Sequence, residues 1–567
     1  MLTATYQIQH GQVQAADRSI SRTRLYQHVR PLVVISLLYA FLFFHHVGSL
    51  GFHADEWFDL HLAASYPLNQ LAHTWPLDYR PFDLLPWIIG VHLFGASLAW
   101  YVAAYGALLW ATALVLYAVV YQLTRQPFLA LGAAAIWSVY PADAATPWLS
   151  TACYRAGAFF LLLTILCLLT GRHVTWQRYI AALVCTGCCL GSQELFLGLL
   201  LFVPAIAVVR APRTDMMARA LYALPFASLI VLYLMYRLWL GPHVLHYYDV
   251  KSGQYDTSVS HMLGVIATML LVVGPEAWQL AFGGLGMPLG SPIAVAWMVG
   301  TTVVLVVTAL SVVHIARHME PHKRLKASSQ AIRPGLVLVG VGLLGVCGGI
   351  LPLLPTTFQP AVFGIDTRVN AVADIGASCV IAGLIWIATH AIPVMEHRVS
   401  LLFLAVATFA VLPPSLRFER VADLNVSDWS DQRVFLRQLL ARAPGVKQHT
   451  HVIVVGADPG ALKALWGIRS WGMDSALSLL YPNTDVHGTV ALAGGAPPSC
   501  IPSAIPKTGV LIVRYATVPH YTVTPLQGSV VTYPRTCSGT SDTDRIMTRP
   551  TASQWRQIIE AELVLQR

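Results

Sequence analysis

Residues 51 to 68 read GFHADEWFDLHLAASYPL, and they place Asp55 and Glu56 side by side directly after an apolar run at 31–50. A carboxylate at the edge of an apolar phase can take a proton from a hydroxyl, and its surroundings tune how readily it does so. The segment Asp78-Tyr79-Arg80-Pro81-Phe82-Asp83 returns a guanidinium and two more acids to the same surface. Farther along, Arg155, Arg237 and Arg368 stand at or near the ends of apolar runs. Guanidinium groups stay charged and hold a phosphate or carboxylate through two parallel hydrogen bonds. The implied chemistry is proton acceptance and anion binding at a membrane surface. The alternative open at this level is that these residues sit hydrated or locally paired in the headgroup layer.

The elements that must carry these groups are apolar helices. Of 567 residues, 56% are hydrophobic and only 11% charged, which excludes an ordinary water-soluble enzyme. Long runs such as 99–123, 221–240 and 291–316 approach the roughly 20 residues a helix needs to cross hydrocarbon. A barrel would show short alternating segments instead. Eleven spans are predicted: 31–50, 99–123, 127–140, 155–170, 179–192, 194–209, 221–240, 291–316, 333–353, 371–392 and 399–414. Residues 263–282, broken by Gly274-Pro275-Glu276, read as an interfacial or re-entrant element. If 1–30 is cytoplasmic, the inner segments hold sixteen Lys/Arg against only Asp17, Asp215, Glu320 and Glu396. The outer side up to 414 holds mainly acids, so the positive-inside rule predicts N-in, C-out. No small-residue cleavage site follows the first apolar run, so that run is expected to remain as a span. The net charge of +9 is distributed by topology and implies no nucleic acid.

Three parts follow: a basic cytoplasmic N-terminus (1–30), a membrane part (31–414) with its outer loop at 51–83, and an extracytoplasmic α/β domain (415–567). In the last, 451–456 reads as a buried strand followed by a helical stretch to about 480, with more strands at 509–514 and 529–533. Seven cysteines lie in or beside apolar runs, where thiols are packing groups; Cys185, Cys188 and Cys189 lack the second ligand pair of a metal motif. Cys500 and Cys537 stand in the outer part, where a disulfide could form.

An acidic pair after the first span, then Ala64-Ser65-Tyr66, resembles the first outer loop of protein O-mannosyltransferases. The continuation Tyr79-Arg80-Pro81-Phe82, with Phe94-Gly95, is similar to a signature of membrane glycosyltransferases of the GT-C fold. Pro141, Trp148 and Arg155, then Gln193-Glu194, Tyr233 and Arg237, and Arg368 with Gly376 keep the family's order over about 340 residues. Four features depart from it: the turn before Trp148 has Asp143 but Ala145 where the family often bears a His/Glu pair, Arg155 lies seven residues after Trp148 rather than four, Gln193 precedes Glu194 where a lysine is common, and Val369-Asn370 follows Arg368 where the family has a tyrosine. These point to a distant branch.

The resemblance implies an α-helical polytopic membrane enzyme that moves a sugar from a polyprenyl-phosphate donor to a glycan, lipid or protein hydroxyl on the outer face of a plasma membrane, with inversion. Asp55 would be the general base, with Glu56 positioning it or the acceptor. Arg368 would bind the donor phosphate, helped by Arg80, Arg155 and Arg237. Asp143, Glu194, His243, His246 and Tyr247 would position the acceptor. No cofactor is required; Asp55, Glu56 and Asp143 could share a divalent cation, but no spacing demands one. His243, His246 and His261 are expected to be loop residues rather than a zinc set, because the chain spreads 21 histidines widely. The rival expectations are a lipid or glycolipid transporter, which would carry interrupted helices and inverted repeats, and a non-catalytic envelope scaffold.

Overall fold

The computed structural model describes residues 29–66, 80, 82–95, 97–171, 174–211, 215–245, 256–283, 321–356, 360–361, 365–391, 396–446, 448, 450–457, 471–482, 484 and 486–492, with short strand segments beyond them. The chain is a helical membrane protein: among the described residues, eight helices are long and apolar enough to cross a membrane. They are α1 (Val29–His46), α4 (Leu98–Thr124), α6 (Leu149–Leu169, opening as a 3-10 turn), α9 (Met216–Leu240), α10 (Val259–Phe282), α11 (Ala331–Leu353, with helix from Pro321), α12 (Asp366–His390) and part of α13 (Glu396–Arg442). Shorter helices fill in between: α2 (Ala54–Ser65), α3 (Leu85–Phe94), α5 (Pro127–Ser138), α7 (Trp176–Ser192) and α8 (Val203–Arg210).

Eleven spans were expected, and the differences have local causes. The stretch at 127–140 forms only the 12-residue α5, ended by the turn that holds Asp143. The stretch at 194–209 breaks into a 3-10 turn, a single helical turn and α8. Residues 291–316 lie outside the described residues. At 263–282 the expected interruption is present: α10 is two helical pieces joined across Gly274-Pro275, where Gly274 leaves the helical region (φ −92°, ψ −112°), and the 24 residues together are long and apolar enough to cross a membrane. Proline removes one backbone donor and so bends the helix; the Tyr140 hydroxyl donates to Val273 O at 2.8 Å beside the kink.

The helices pack as adjacent pairs: α6 on α7, α4 on α5 and α6, α5 on α12, and α11 on α12. The α11–α12 contact is backbone on backbone. A Cβ at Gly376 would lie 2.4 Å from Val346 N and 2.5 Å from Gly342 O. Small residues permit such approach where lipid supplies no hydrophobic drive between helices.

The boundary expected at 414 falls inside α13, which runs 47 residues through Pro413-Pro414. At 1.5 Å per residue this helix is about 70 Å long, more than twice the hydrocarbon core. Its far half carries Trp429 and Gln432 onto the outer loop and ends at Arg442. Beyond it, β1 (Thr450–Ala457) pairs in parallel with β2 (Val486–Leu492) and with β4 (Gly509–Arg514), and β4 pairs antiparallel with β5 (Thr522–Pro525). Ile501–Pro502 (β3) and Thr536–Cys537 (β6) form a separate parallel pair. Helix α14 (Trp471–Leu480) packs both on β2 and on α2. The expected strand at 529–533, and Cys500, lie outside the described residues.

Candidate functional site

Helix α2 is fixed at three points. Glu56, fully buried, accepts from His53 N at 2.6 Å through Oε2 and from Ser150 N at 2.8 Å through Oε1, which ties the helix start to the turn opening α6. The Trp57 indole donates to Gln432 Oε1 at 3.0 Å, and Gln432 Nε2 donates to Phe52 O at 3.0 Å, joining α2 to α13. Phe52, Trp57 and Trp429 pack as an aromatic cluster with ring centroids 5.3–6.1 Å apart.

This anchoring presents Asp55 to Arg368. Arg368 Nη1 lies 3.4 Å from Asp55 Oδ2, both side chains partly exposed. Arg368 stands on the 3-10 turn Ile365–Asn370 that leads into α12. That turn is held because Asn370 Nδ2 donates to Ala142 O and Ala361 O, each at 2.8 Å. The Tyr154 ring lies 6.0 Å from the Arg368 guanidinium carbon.

Two further acids join the group. Asp59 is one helical turn after Asp55, so the two share a face. Burial pushes the Asp59 carboxyl well above the ordinary range, and Asp83, Asp55 and Glu56 push it further, against Arg368. Asp83 is raised chiefly by burial, with Arg80 opposing. The Glu56 carboxyl is pushed up to about 8 by burial, although its two backbone donors favour the charged form. Asp59 and Asp83 were legible as acids of the outer loop, and the i, i+4 spacing from Asp55 was the signal that could have assigned Asp59 to the site.

Arg80 turns the other way. Its Nε and Nη2 donate to Glu194 Oε2 and Oε1 at 2.8 and 2.9 Å, a bidentate pair, while Nη1 is 3.7 Å from Asp83. Arg237 Nη2 approaches the same carboxylate at 4.0 Å. The loop end is seated by Phe82, whose N–H donates to Gly191 O at 3.0 Å and whose ring occupies the space a Cβ on Gly191 would need. Asp83, Glu194, Arg80, Arg237 and the Asp55–Arg368 pair therefore form one charged group spanning the outer loop, the end of α7, the end of α9 and the start of α12.

Arg155 and Asp143 belong to a second, inner group. Tyr154 faces Arg368, and the next residue along the helix points elsewhere: Arg155 Nη2 pairs with Asp143 Oδ2 and donates to Thr146 Oγ1 at 3.1 Å. Both side chains are almost fully buried. Asp374 lines the same small cavity with Tyr39, Ser138 and Thr146, and both its carboxylate oxygens lack hydrogen-bond partners. No interaction among the described residues joins this group to Asp55, so the structure separates two residues that the resemblance places with the donor and acceptor. His243 lies in the π-helical continuation Tyr236–Leu245, and His246 and Tyr247 lie outside the described residues. Cys189 donates its thiol to Gly157 O at 3.3 Å, a packing role.

No protein-family model matches the sequence, and no curated protein matches it significantly.

Proposed function

We propose that this protein is a membrane glycosyltransferase of the GT-C type, moving a sugar from a polyprenyl-phosphate donor to an acceptor hydroxyl on the extracytoplasmic face. The observation that carries the reading is the Asp55–Arg368 pair, which brings a proton acceptor and an anion ligand from 313 positions apart to 3.4 Å. A lipid-phosphate leaving group is anchored at the headgroup level, so the base and the phosphate ligand must stand together there. Arg368 would exchange Asp55 for the donor phosphate, freeing the carboxylate to take the acceptor proton as the hydroxyl attacks the anomeric carbon. Glu56, with both oxygens held by backbone N–H groups, positions Asp55. Arg80 and Arg237 share Glu194, so this cluster shapes the site and supplies a second cationic edge for the phosphate. In this reading Arg155 and Asp143 support the scaffold, and no divalent cation is needed.

The same reading makes the segment after α13 an extracytoplasmic α/β domain with the N-terminus inside. Its support is the packing of α14 on α2, which puts that segment on the side of Asp55.

The test is transfer from a panel of radiolabelled polyprenyl-phosphate sugars by purified protein, with cell-envelope extract as acceptor. Wild type is expected to transfer one of them, and Asp55→Asn to bind the donor but lose transfer by roughly 100-fold or more. Equal transfer by both would remove Asp55 as the base. The transport reading draws on the break in α10 at Gly274-Pro275; it predicts lipid translocation in proteoliposomes without any transferred label.

A further inference from the structure

Outside the charged site, His45, His46 and Glu419 bring three ligand atoms within 4.8 Å of one another. His45 and His46 close α1 in the 3-10 turn Phe44–His46, and Glu419 stands on α13, 373 positions away from His46. Glu419 Oε2 lies 3.0 Å from His46 Nε2 and 3.4 Å from His45 Nε2. Neighbouring residues on a 3-10 turn are offset by about a third of a turn. Both imidazoles nonetheless swing to the same oxygen, and their ring centroids come to 3.7 Å.

We propose that His45, His46 and Glu419 form a zinc site that clasps the first span to α13. Two imidazole nitrogens and one carboxylate are the donor set of many open tetrahedral zinc sites. Zinc–ligand bonds of about 2.0–2.1 Å put tetrahedral ligands about 3.3 Å apart, and the two distances to Glu419 Oε2 bracket that edge. The exposure pattern fits loading from solvent. The His46 side chain is 8% exposed and fixes the geometry, whereas His45 at 47% and Glu419 at 32% leave a path and a fourth position for water. A histidine pair hydrogen-bonded to one carboxylate explains the distances without a metal, and the experiment separates the two.

Full-length protein purified without a histidine tag, stripped with chelator and titrated with Zn2+ against a chromogenic competitor, is expected to bind one equivalent. His45→Ala and Glu419→Gln should each weaken that binding by at least about 100-fold, since even groups that only support metal ligands cost 10–100-fold. His92→Ala, at an exposed position of α3, should leave it unchanged. His45 is half exposed, so its truncation leaves the packing intact and keeps the test valid if Glu419→Gln fails to fold. Co2+ substitution should give the visible absorption of a tetrahedral centre in wild type and lose it in His45→Ala. Wild type binding no stoichiometric zinc, or His45→Ala binding as tightly as wild type, overturns the proposal. Neither outcome bears on sugar transfer, so this site and the glycosyltransferase reading stand or fall separately.

Discussion

At the scale of residues, the structure divides the charged groups by the company they keep. Asp55 is partly exposed and shares Arg368, whereas Glu56, its neighbour, is sealed between two backbone donors. The two acids looked equivalent in sequence; their difference arises because one faces out from α2 and the other faces the turn opening α6. Glu56 makes a pH prediction. Its folded carboxyl titrates near 8 and an unfolded one near 4.5, so the fold favours the protonated form. The associated stability is fully present below about 4.5 and is lost as pH rises through about 8. Thermal unfolding in detergent should show wild type losing on the order of a few kcal/mol between pH 5 and 9 relative to Glu56→Gln, which has no proton to lose. A flat difference across that range would refute the assignment. The inner group predicts differently. Arg155→Met strands buried Asp143 and should destabilise by about 3–5 kcal/mol, while adding Asp143→Asn should recover part of that loss. If the double variant is no better than the single one, Asp143 and Arg155 are not coupled. Arg155 was legible as an arginine at an outer turn, but its partner was not, because the choice between Asp143 and the outer acids depends on which way one helical position faces.

At the scale of elements, apolar length was the dependable signal and helix ends were not. The long runs that became α4, α9, α11 and α12 fell where hydropathy put them. The short runs at 127–140 and 194–209 give helices of 12 and 8 residues, the second after a turn, and α10 is interrupted at Gly274-Pro275, where the sequence signalled a break. The helix that carries the expected end of the membrane part at 414 runs on past that position. A Pro-Pro pair and rising polarity mark the end of an apolar run, but the helix continues since Ser415 and its neighbours keep bonding back along it, Ser415 Oγ to Val411 O at 2.8 Å. The backbone contact between α11 and α12 supplies a prediction of its own. Gly376 meets the backbone of α11, so no side chain can yield to make room. Gly376→Leu should cost at least about 1–3 kcal/mol by overpacking and lower the melting temperature in detergent, whereas Gly340→Leu on the open face of α11 should not. Similar losses at both positions would mean that the α11–α12 contact is looser than described.

At the scale of the whole molecule, segments far apart in the sequence meet at the outer loop. Helix α13 brings Trp429 and Gln432 to α2, and α14 lies on α2 as well. The topology proposed from charge therefore has a physical check in intact cells. In a cysteine-free background, Ser430→Cys should react with a membrane-impermeant thiol reagent from outside, and Met216→Cys, at the exposed start of α9, should not. The reverse pattern would invert the orientation and move Asp55 to the cytoplasm. Charge asymmetry is what proposes this orientation from sequence, but the meeting of these distant segments was not legible, since hydropathy carries no information about which distant segments touch. That meeting also sets a timetable for manufacture. Trp57 waits for Gln432, 375 positions later. At a synthesis rate of about 5–20 residues per second, the interval is roughly 20–75 s. Throughout it the nascent loop lies at the membrane surface with its indole and the Phe52 carbonyl still unmated. The Asp55 helix is thus among the last parts of the molecule to set, and a ribosome stalled before residue 432 would leave a chain that spans the membrane with its outer loop undocked.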